Sequence, residues 1–245
     1  MSLPVAVLAG GLATRLRPLT GPIPKALVEV AGRPFVEHQL EWLRGQGVER
    51  VVLCVAYRGE MIRDALGDGA RWGLSIEYVF DGDRLRGTGG AIMRALPALG
   101  PTFMVLYADS YVSCDLAALE RAYRASGCSG MMTVFRNDDR WDRSNVLFAE
   151  GRVLRYDKVE RTQEMHHIDY GIGVLSARAF EGFLNPGSPT AGNSTDDAFD
   201  LAAVYQRLLA AGDLAAFEVF DRFYEIGSPD GLEETRRFFD KKEKA

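Results

Sequence analysis

The sequence predicts an α/β protein: a doubly wound, Rossmann-like mixed sheet with helices on both faces and a small antiparallel portion in its second half. Three observations lead there. Short, continuously apolar runs at residues 5–8, 51–55 and 103–107 read as strands buried on both faces. Amphipathic stretches of helical spacing separate them, as in parallel strands joined by crossover helices. From Gly130 onward the apolar segments shorten and polar turns join them, the pattern of antiparallel strands.

The first strand, at 5–8, runs straight into Gly10-Gly11. Residues 34–46 follow as an amphipathic helix, with Phe35, Val36, Leu40 and Leu43 on one stripe and Gly45 and Gly47 ending it. After the strand at 51–55, residues 59–66 form a second helix and 75–79 another strand. Residues 88–96 are the next helix and 103–107 the next strand. Beyond Gly130, strands are expected at 131–135, 145–148, 152–157 and 172–175, either extending the sheet or folding as a subdomain over a cleft. Residues 196–211 return to helix, with Leu201, Val204, Tyr205 and Leu208 in one stripe. A last strand is expected at 215–220. Ser228 then N-caps a helix with Pro229 at its first position, running to Phe239, and the charged tail frays. No linker, repeat or low-complexity tract divides the chain, so residues 1–245 are expected to form a single domain.

Bulk properties narrow the function classes. The apolar share of 47% is ordinary for a soluble protein, and no apolar run reaches the length of a membrane span. Without a basic region followed by an apolar core at the N-terminus, the protein is placed in the cytoplasm, with no membrane partner. A formal charge of −5 gives no footprint for nucleic acid. Cys54, Cys114 and Cys128 are too scattered for a disulfide framework or a zinc site. The adjacent His166 and His167 would point to opposite faces of a strand, so no metal is assigned to them. A homo-oligomer is compatible with all of this.

Chemistry concentrates in the stretch from Leu8 and Ala9 through Gly10, Gly11, Thr14 and Arg15 to Thr20, followed by Pro24 and Lys25. Glycine at the end of a buried strand permits unusual backbone angles and lets an anion approach main-chain N–H groups. Arg15, Arg17 and Lys25 add cations. A Gly-Gly pair alone is ordinarily only a turn. The spacing is neither G-x-x-x-x-G-K-[ST] nor G-x-G-x-x-G, and the second strand closes at Val55-Ala56-Tyr57 without an acid, which argues against a dinucleotide-binding oxidoreductase. Ligands of open α/β sheets sit beyond the carboxyl ends of the strands, so this loop, the turn at 81–90 and the residues after Tyr107 converge on one cleft. Asp109, ending a strongly apolar strand, is placed either to hold a divalent cation over phosphates or to cap a helix.

These residues resemble the sugar-1-phosphate nucleotidyltransferases, also called nucleotide-sugar pyrophosphorylases, and among them the heptose- and mannose-1-phosphate guanylyltransferase-like members. The family's opening signature, L-A-G-G-x-G-T-R-L-x-P-L-T, then P-K-x-L and V-x-G-[KR]-P, stands here as residues 8–20, Pro24-Lys25-Ala26-Leu27 and Val30-Ala31-Gly32-Arg33-Pro34. Gly87-Thr88-Gly89-Gly90 is similar to the nucleotide-base loop, Ala108-Asp109-Ser110 to the G-D-[NST] metal segment, and Tyr156-Asp157-Lys158 to the E-K sugar pair. Asp169-Tyr170-Gly171-Ile172-Gly173 resembles the x-x-G-I-[YG] strand, and residues 223–229 the W-x-D-x-G-T-P segment.

The resemblance implies transfer of a nucleotidyl group from a nucleoside triphosphate to a sugar 1-phosphate with Mg2+, giving a nucleotide sugar and pyrophosphate. It implies Arg15, Lys25 and Asp109 as catalytic residues. Leu8, Ala9, Gly10, Gly11, Thr14, Arg15, Asp81, Gly87, Thr88 and Gly89 would bind the nucleotide. Lys158, Asp157, Gly171 and Asn145 would bind the sugar phosphate, and Asp109 and Glu225 the metal. Residues 1–128 would mainly hold the nucleotide, and residues 129–245 would form the sugar-binding portion and supply the second metal ligand. Two readings stay open for Asp81: a carboxylate accepting from N1–H and N2–H of guanine, or a solvated turn residue. In the polar loop 136–145, Trp141 and Asn145 either shape the sugar pocket or belong to a hairpin anchored by Trp141. Ala13, Ala108, Asp157 and Glu225 depart from the family's usual glycine, glycine, glutamate and aspartate. Overall similarity favours GTP with a manno-configured hexose or heptose 1-phosphate over uridylyl or thymidylyl transfer to another sugar phosphate. The alternative of a different class is a non-catalytic nucleotide-sugar sensor, which would carry a damaged phosphate cradle or metal site.

Overall fold

The computed structural model describes residues 2–11, 23–82, 84–184 and 198–242. Ala13, Thr14, Arg15 and Arg17 lie outside the described residues. Strand β1 (Val5–Ala9) is buried along its whole length. The pair β2 (Glu29–Val30) and β3 (Arg33–Pro34) leads into helix α1 (Phe35–Gly45). Strand β4 (Arg50–Val55), helix α2 (Gly59–Leu66), strand β5 (Ser75–Phe80), helix α3 (Gly87–Leu99) and strand β6 (Thr102–Tyr107) complete the first half. Chain direction and order make β5, β4, β1 and β6 a parallel array with β1 inside it.

Strand β7 (Ser110–Tyr111) and helix α4 (Leu116–Ser126) lead to β8 (Gly130–Arg136), β9 (Val146–Ala149), β10 (Arg152–Tyr156) and β11 (His167–Ser176). β11 runs antiparallel beside β6, and β8 antiparallel beside β11, so the later strands extend the one sheet. The short α5 (Glu181–Leu184) and helix α6 (Leu201–Ala210) precede β12 (Leu214–Val219), which pairs parallel to β8. Antiparallel strands are thus found where the turns predicted them, and β12, which runs antiparallel to β11 on the far side of β8, adds one parallel pairing. β13 (Tyr224–Glu225) and α7 (Pro229–Lys242) close the chain, and the Ser228 hydroxyl accepts from Gly231 N–H as the expected cap.

Alternation along β1 explains both faces. Val5 and Val7 join Val51 and Leu53 under α1, α2 and α4, whereas Ala6 and Leu8 join Val52 and Cys54 under α3 and α6. Fully burying a valine or leucine side chain contributes about 1.5–3 kcal/mol, so a strand buried on both sides is fixed in register. Helix α4 is absent from the elements expected from sequence, although its signals are present: the Asp115 side chain accepts from Ala118 N–H, and Gly127 stops it at φ 68°. A third cluster, Val30, Phe35, Tyr111, Ile226, Leu232 and Phe239, locks β7 and β13 to α7 and to the segment around Lys25. Among the described residues no helix is long and apolar enough to cross a membrane.

Candidate active site

Beyond the carboxyl ends of β1, β5 and β6 lies a cavity of about 300 Å³, walled by Leu8, Ala9, Gly10, Gly11, Lys25, Asp81, Gly87, Thr88, Tyr107 and Asp109 among others. The three converging stretches expected from sequence therefore meet. Neither Gly10 nor Gly11 has a left-handed backbone. A Cβ at Gly10 would lie 3.2 Å from the Ala56 Cβ, and one at Gly11 would meet nothing within 4 Å. What glycine supplies at Gly11 is an unobstructed approach to the main chain. Asp81 is buried rather than solvated: its Oδ2 accepts from Arg86 N–H at 3.1 Å, and burial pushes its carboxyl above the usual range while that amide pulls it down.

Lys25 and Asp109 sit on the wall of this cavity, and Glu225 stands beside Asp109 in the fold. Lys25, in a 3-10 turn whose Ala26 packs into the core cluster of Val5 and Val7, donates to Asp109 Oδ2 at 3.0 Å, with the two side chains 18% and 33% exposed. Opposite Ser110 in the β7–β13 ladder stands Glu225, and Ile226 N–H bonds to Asp109 O, so backbone pairing alone brings the acids together. Glu225 Oε2 accepts from Gly227 N–H and Oε1 from the Ser228 hydroxyl. Its carboxyl is raised first by burial, with the Asp109 charge adding to it and the Gly227 amide opposing.

A second cavity, of about 450 Å³, shares Tyr107 and Asp109 with the first and is lined by Asn145, Lys158, Asp169, Gly171 and Glu225 among others. Lys158 Nζ lies 3.2 Å from Asp200 Oδ1 and 5.6 Å from the centre of the Tyr107 ring. Asn145 Oδ1 accepts from Asp169 N–H at 3.0 Å. Between Asp169 and Gly173 the β11–β8 register shifts, and the buried Thr133 hydroxyl donates to Ile172 O within that bulge. Gly171 takes φ 95° there, an angle that L side chains rarely adopt.

Asp157, expected at the sugar, does not line this cavity. Its Oδ1 instead accepts from Val159 and Glu160 N–H, which holds the carboxyl below the usual range and ties it to an exposed turn. The acid in this cavity is the half-buried Asp169, which sequence reasoning passed over. Its Oδ2 accepts from the Tyr156 hydroxyl and its Oδ1 from Gly171 N–H, and burial raises its carboxyl against the pull of Lys158. Its signal lay in the Asp169-Tyr170-Gly171 stretch itself. Gln39 was also missed: from α1 its Nε2 donates to Tyr107 O and Ser110 O, holding the backbone on either side of Asp109. The available sign was a glutamine at helical spacing from Phe35, Val36 and Leu43, and the structure buries it. Trp141 anchors the loop between β8 and β9, packed on Phe135 and under the Arg222 guanidinium; the two strands pair with β11 and not with each other, so the loop does not close a hairpin.

The turn at 87–90 differs from its expected role at Gly89. Gly89 N–H donates to Phe199 O at 2.9 Å, and a Cβ there would lie 2.2 Å from the Phe199 ring. Gly87 and Thr88 face the cavity, whereas Gly89 makes room for Phe199. Gly89→Ala is therefore expected to destabilise the fold by about 1–3 kcal/mol through overpacking. Thermal melts check this, and a wild-type melt would refute the packing role.

The sequence model of the family described as "Nucleotidyl transferase" matches residues 5–145. The chain is 38% identical over 230 residues to the mannose-1-phosphate guanylyltransferase of Mycobacterium tuberculosis, covering 91% of this chain and 61% of that protein. It thus spans less than two thirds of that relative's length. To the D-glycero-alpha-D-manno-heptose 1-phosphate guanylyltransferase of Campylobacter jejuni it is 32% identical over 178 residues, covering 72% of this chain and 77% of the relative. The solved inositol-1-phosphate CTP transferase of T. maritima superposes with a TM-score of 0.80 at 23% identity, covering 98% of this chain and 96% of that one. The last comparison concerns the fold.

Proposed function

The chain belongs to the nucleotidyl transferase family, and from that premise we propose that residues 1–245 work as one catalytic unit transferring a nucleotidyl group from a nucleoside triphosphate to a sugar 1-phosphate. The observation that carries this reading is the meeting of two cavities at Asp109, with a lysine assigned to each: Lys25 in the first and Lys158 in the second. The triphosphate lies in the first cavity and the sugar phosphate in the second. A phosphate oxygen of the sugar 1-phosphate attacks the α-phosphorus. The bond from that phosphorus to the bridging oxygen of the β-phosphate breaks, and pyrophosphate leaves with the electron pair. Because the nucleophile is already an anion, no side chain has to remove a proton, and catalysis rests on alignment and charge neutralisation.

Each residue has a place in that scheme. The amides at Gly10 and Gly11, with Thr14 and Arg15, hold the departing pyrophosphate. Lys25 exchanges Asp109 for a phosphate oxygen, and Lys158 orients the sugar phosphate. Asp169 and the Gly171 backbone meet the sugar hydroxyls, while Asn145 fixes Asp169. Asp81 accepts from N1–H and N2–H of guanine beside Gly87 and Thr88. Leu8 and Ala9 form the apolar floor beneath the nucleotide.

Asp109 and Glu225 fit a magnesium ion. Asp109 just before β7 and Glu225 in β13 offer carboxylate oxygens, the donors a hard cation takes, and both line the second cavity. When bound, the ion reduces repulsion between the two anionic substrates. GTP with a manno-configured hexose or heptose 1-phosphate is the preferred pair, supported by buried Asp81 and by the names of the two relatives. Soluble substrates of this kind fit a cytoplasmic setting.

A pyrophosphate-release screen crossing five nucleoside triphosphates with hexose and heptose 1-phosphates, with and without magnesium, tests the proposal. Magnesium-dependent release is expected, fastest with GTP. Faster turnover with UTP or dTTP overturns the base assignment, and no release from any pair overturns the enzyme reading in favour of a nucleotide-sugar sensor.

A further inference from the structure

We propose that Phe199-Asp200-Leu201 is a strap tying the nucleotide turn to the sugar-phosphate lysine, with Asp200 as the positioning residue for Lys158; the inference rests on the nucleotidyl-transfer reading. One side of the strap is stitched to the turn by three hydrogen bonds. Phe199 N–H donates to Arg86 O at 3.0 Å, Gly89 N–H donates to Phe199 O at 2.9 Å, and Leu201 N–H donates to the Thr88 hydroxyl at 2.8 Å. The Phe199 ring fills the space that Gly89 leaves and stacks on Phe183 at 4.7 Å between centroids. Thr88, held this way, and Gly87, flanked by two residues so held, also wall the nucleotide cavity.

The strap's middle residue faces the other substrate. Asp200 Oδ1 caps α6 by accepting from Ala202 N–H at 2.8 Å, and the same oxygen lies 3.2 Å from Lys158 Nζ. With the two side chains 54% and 36% exposed, this ion pair adds little to folding stability. Its geometric effect is larger. Lys158 stands over the Tyr107 ring, which walls both cavities, and the half-buried Asp169 is the other acid that lines the second cavity on its side. Asp200 therefore holds the ammonium at the cavity wall and away from Asp169.

The consequence is coupling between the substrates. A nucleotide seated on the turn stiffens the backbone that carries Asp200, so Lys158 is in place before the sugar phosphate arrives. Linkage makes the effect reciprocal in binding free energy.

Asp200→Ser separates positioning from folding, because serine caps a helix as well as aspartate does but is too short and uncharged to hold Lys158. Initial rates are measured with the nucleotide and sugar phosphate that wild type turns over fastest. The variant is expected to raise KM for the sugar 1-phosphate about tenfold, within the usual range of site coupling, with kcat and the nucleotide KM little changed and the melting temperature preserved. Asp200→Asn, which keeps an acceptor for Lys158, should fall between the two. In equilibrium binding, a non-hydrolysable triphosphate analogue should tighten sugar-phosphate binding in wild type and lose that effect in Asp200→Ser. An unchanged sugar KM, or equal losses for both substrates with a lowered melt, overturns the strap alone. Absence of turnover by wild type with every pair counts against nucleotidyl transfer itself, and the strap falls with it.

Discussion

Asp109→Asn is expected to lower kcat about a thousandfold while the protein stays folded, the scale of loss when one preorganised electrostatic group is removed from a reacting centre. The asparagine keeps the shape and the backbone bond from Ile226 N–H to Asp109 O, so β7 and β13 remain paired. What disappears is the negative charge shared by Lys25 and the proposed magnesium. Glu225 alone then faces the phosphates, and raising magnesium should restore little. Steady-state rates across a magnesium titration, together with a thermal melt, decide the matter. Wild-type turnover would remove Asp109 from the metal site.

Lys25→Ala should depress kcat about a hundredfold or more, for the same electrostatic reason applied to the opposite charge. Its ammonium is the cation bonded to Asp109 in the described structure, and the loss leaves both that carboxylate and the transferred phosphate uncompensated. The 3-10 turn itself persists, since its backbone bonds from Leu27 N–H to Pro24 O and from Val28 N–H to Lys25 O do not involve the side chain. Lys25→Arg is not expected to rescue, because a planar guanidinium does not reproduce a compact point charge. Rate constants and melts are compared for all three proteins; a change confined to stability would make Lys25 structural.

Much of this was legible because it depends on local pattern. The apolar runs gave the buried strands, and the chain positions of Lys25, Asp109, Lys158 and Glu225 could be named before any fold was known. Contacts between distant segments were less accessible. Gly89 is glycine because of Phe199, more than a hundred residues away, and nothing near Gly89 announces it. Asp169 enters the second cavity beside a bulge, which breaks the two-residue alternation that strand reading relies on. Asp157 carries the right chemistry next to Lys158, yet two neighbouring amides claim its carboxylate. Gln39 acts through backbone carbonyls, which a sequence does not display.

The two-residue ladder between β7 and β13 also sets an order of events in synthesis. Asp109 leaves the ribosome more than a hundred residues before Glu225. The parallel strands β1, β4, β5 and β6 are all complete by Tyr107 and can begin to collapse while the C-terminal segment is still unmade. Joining ends so far apart carries a loop-closure cost that grows slowly with length, and contacts of such separation form late. The acid pair is therefore among the last features to mature, so a nascent chain can own the first cavity before it owns the second of the two acids proposed to serve it.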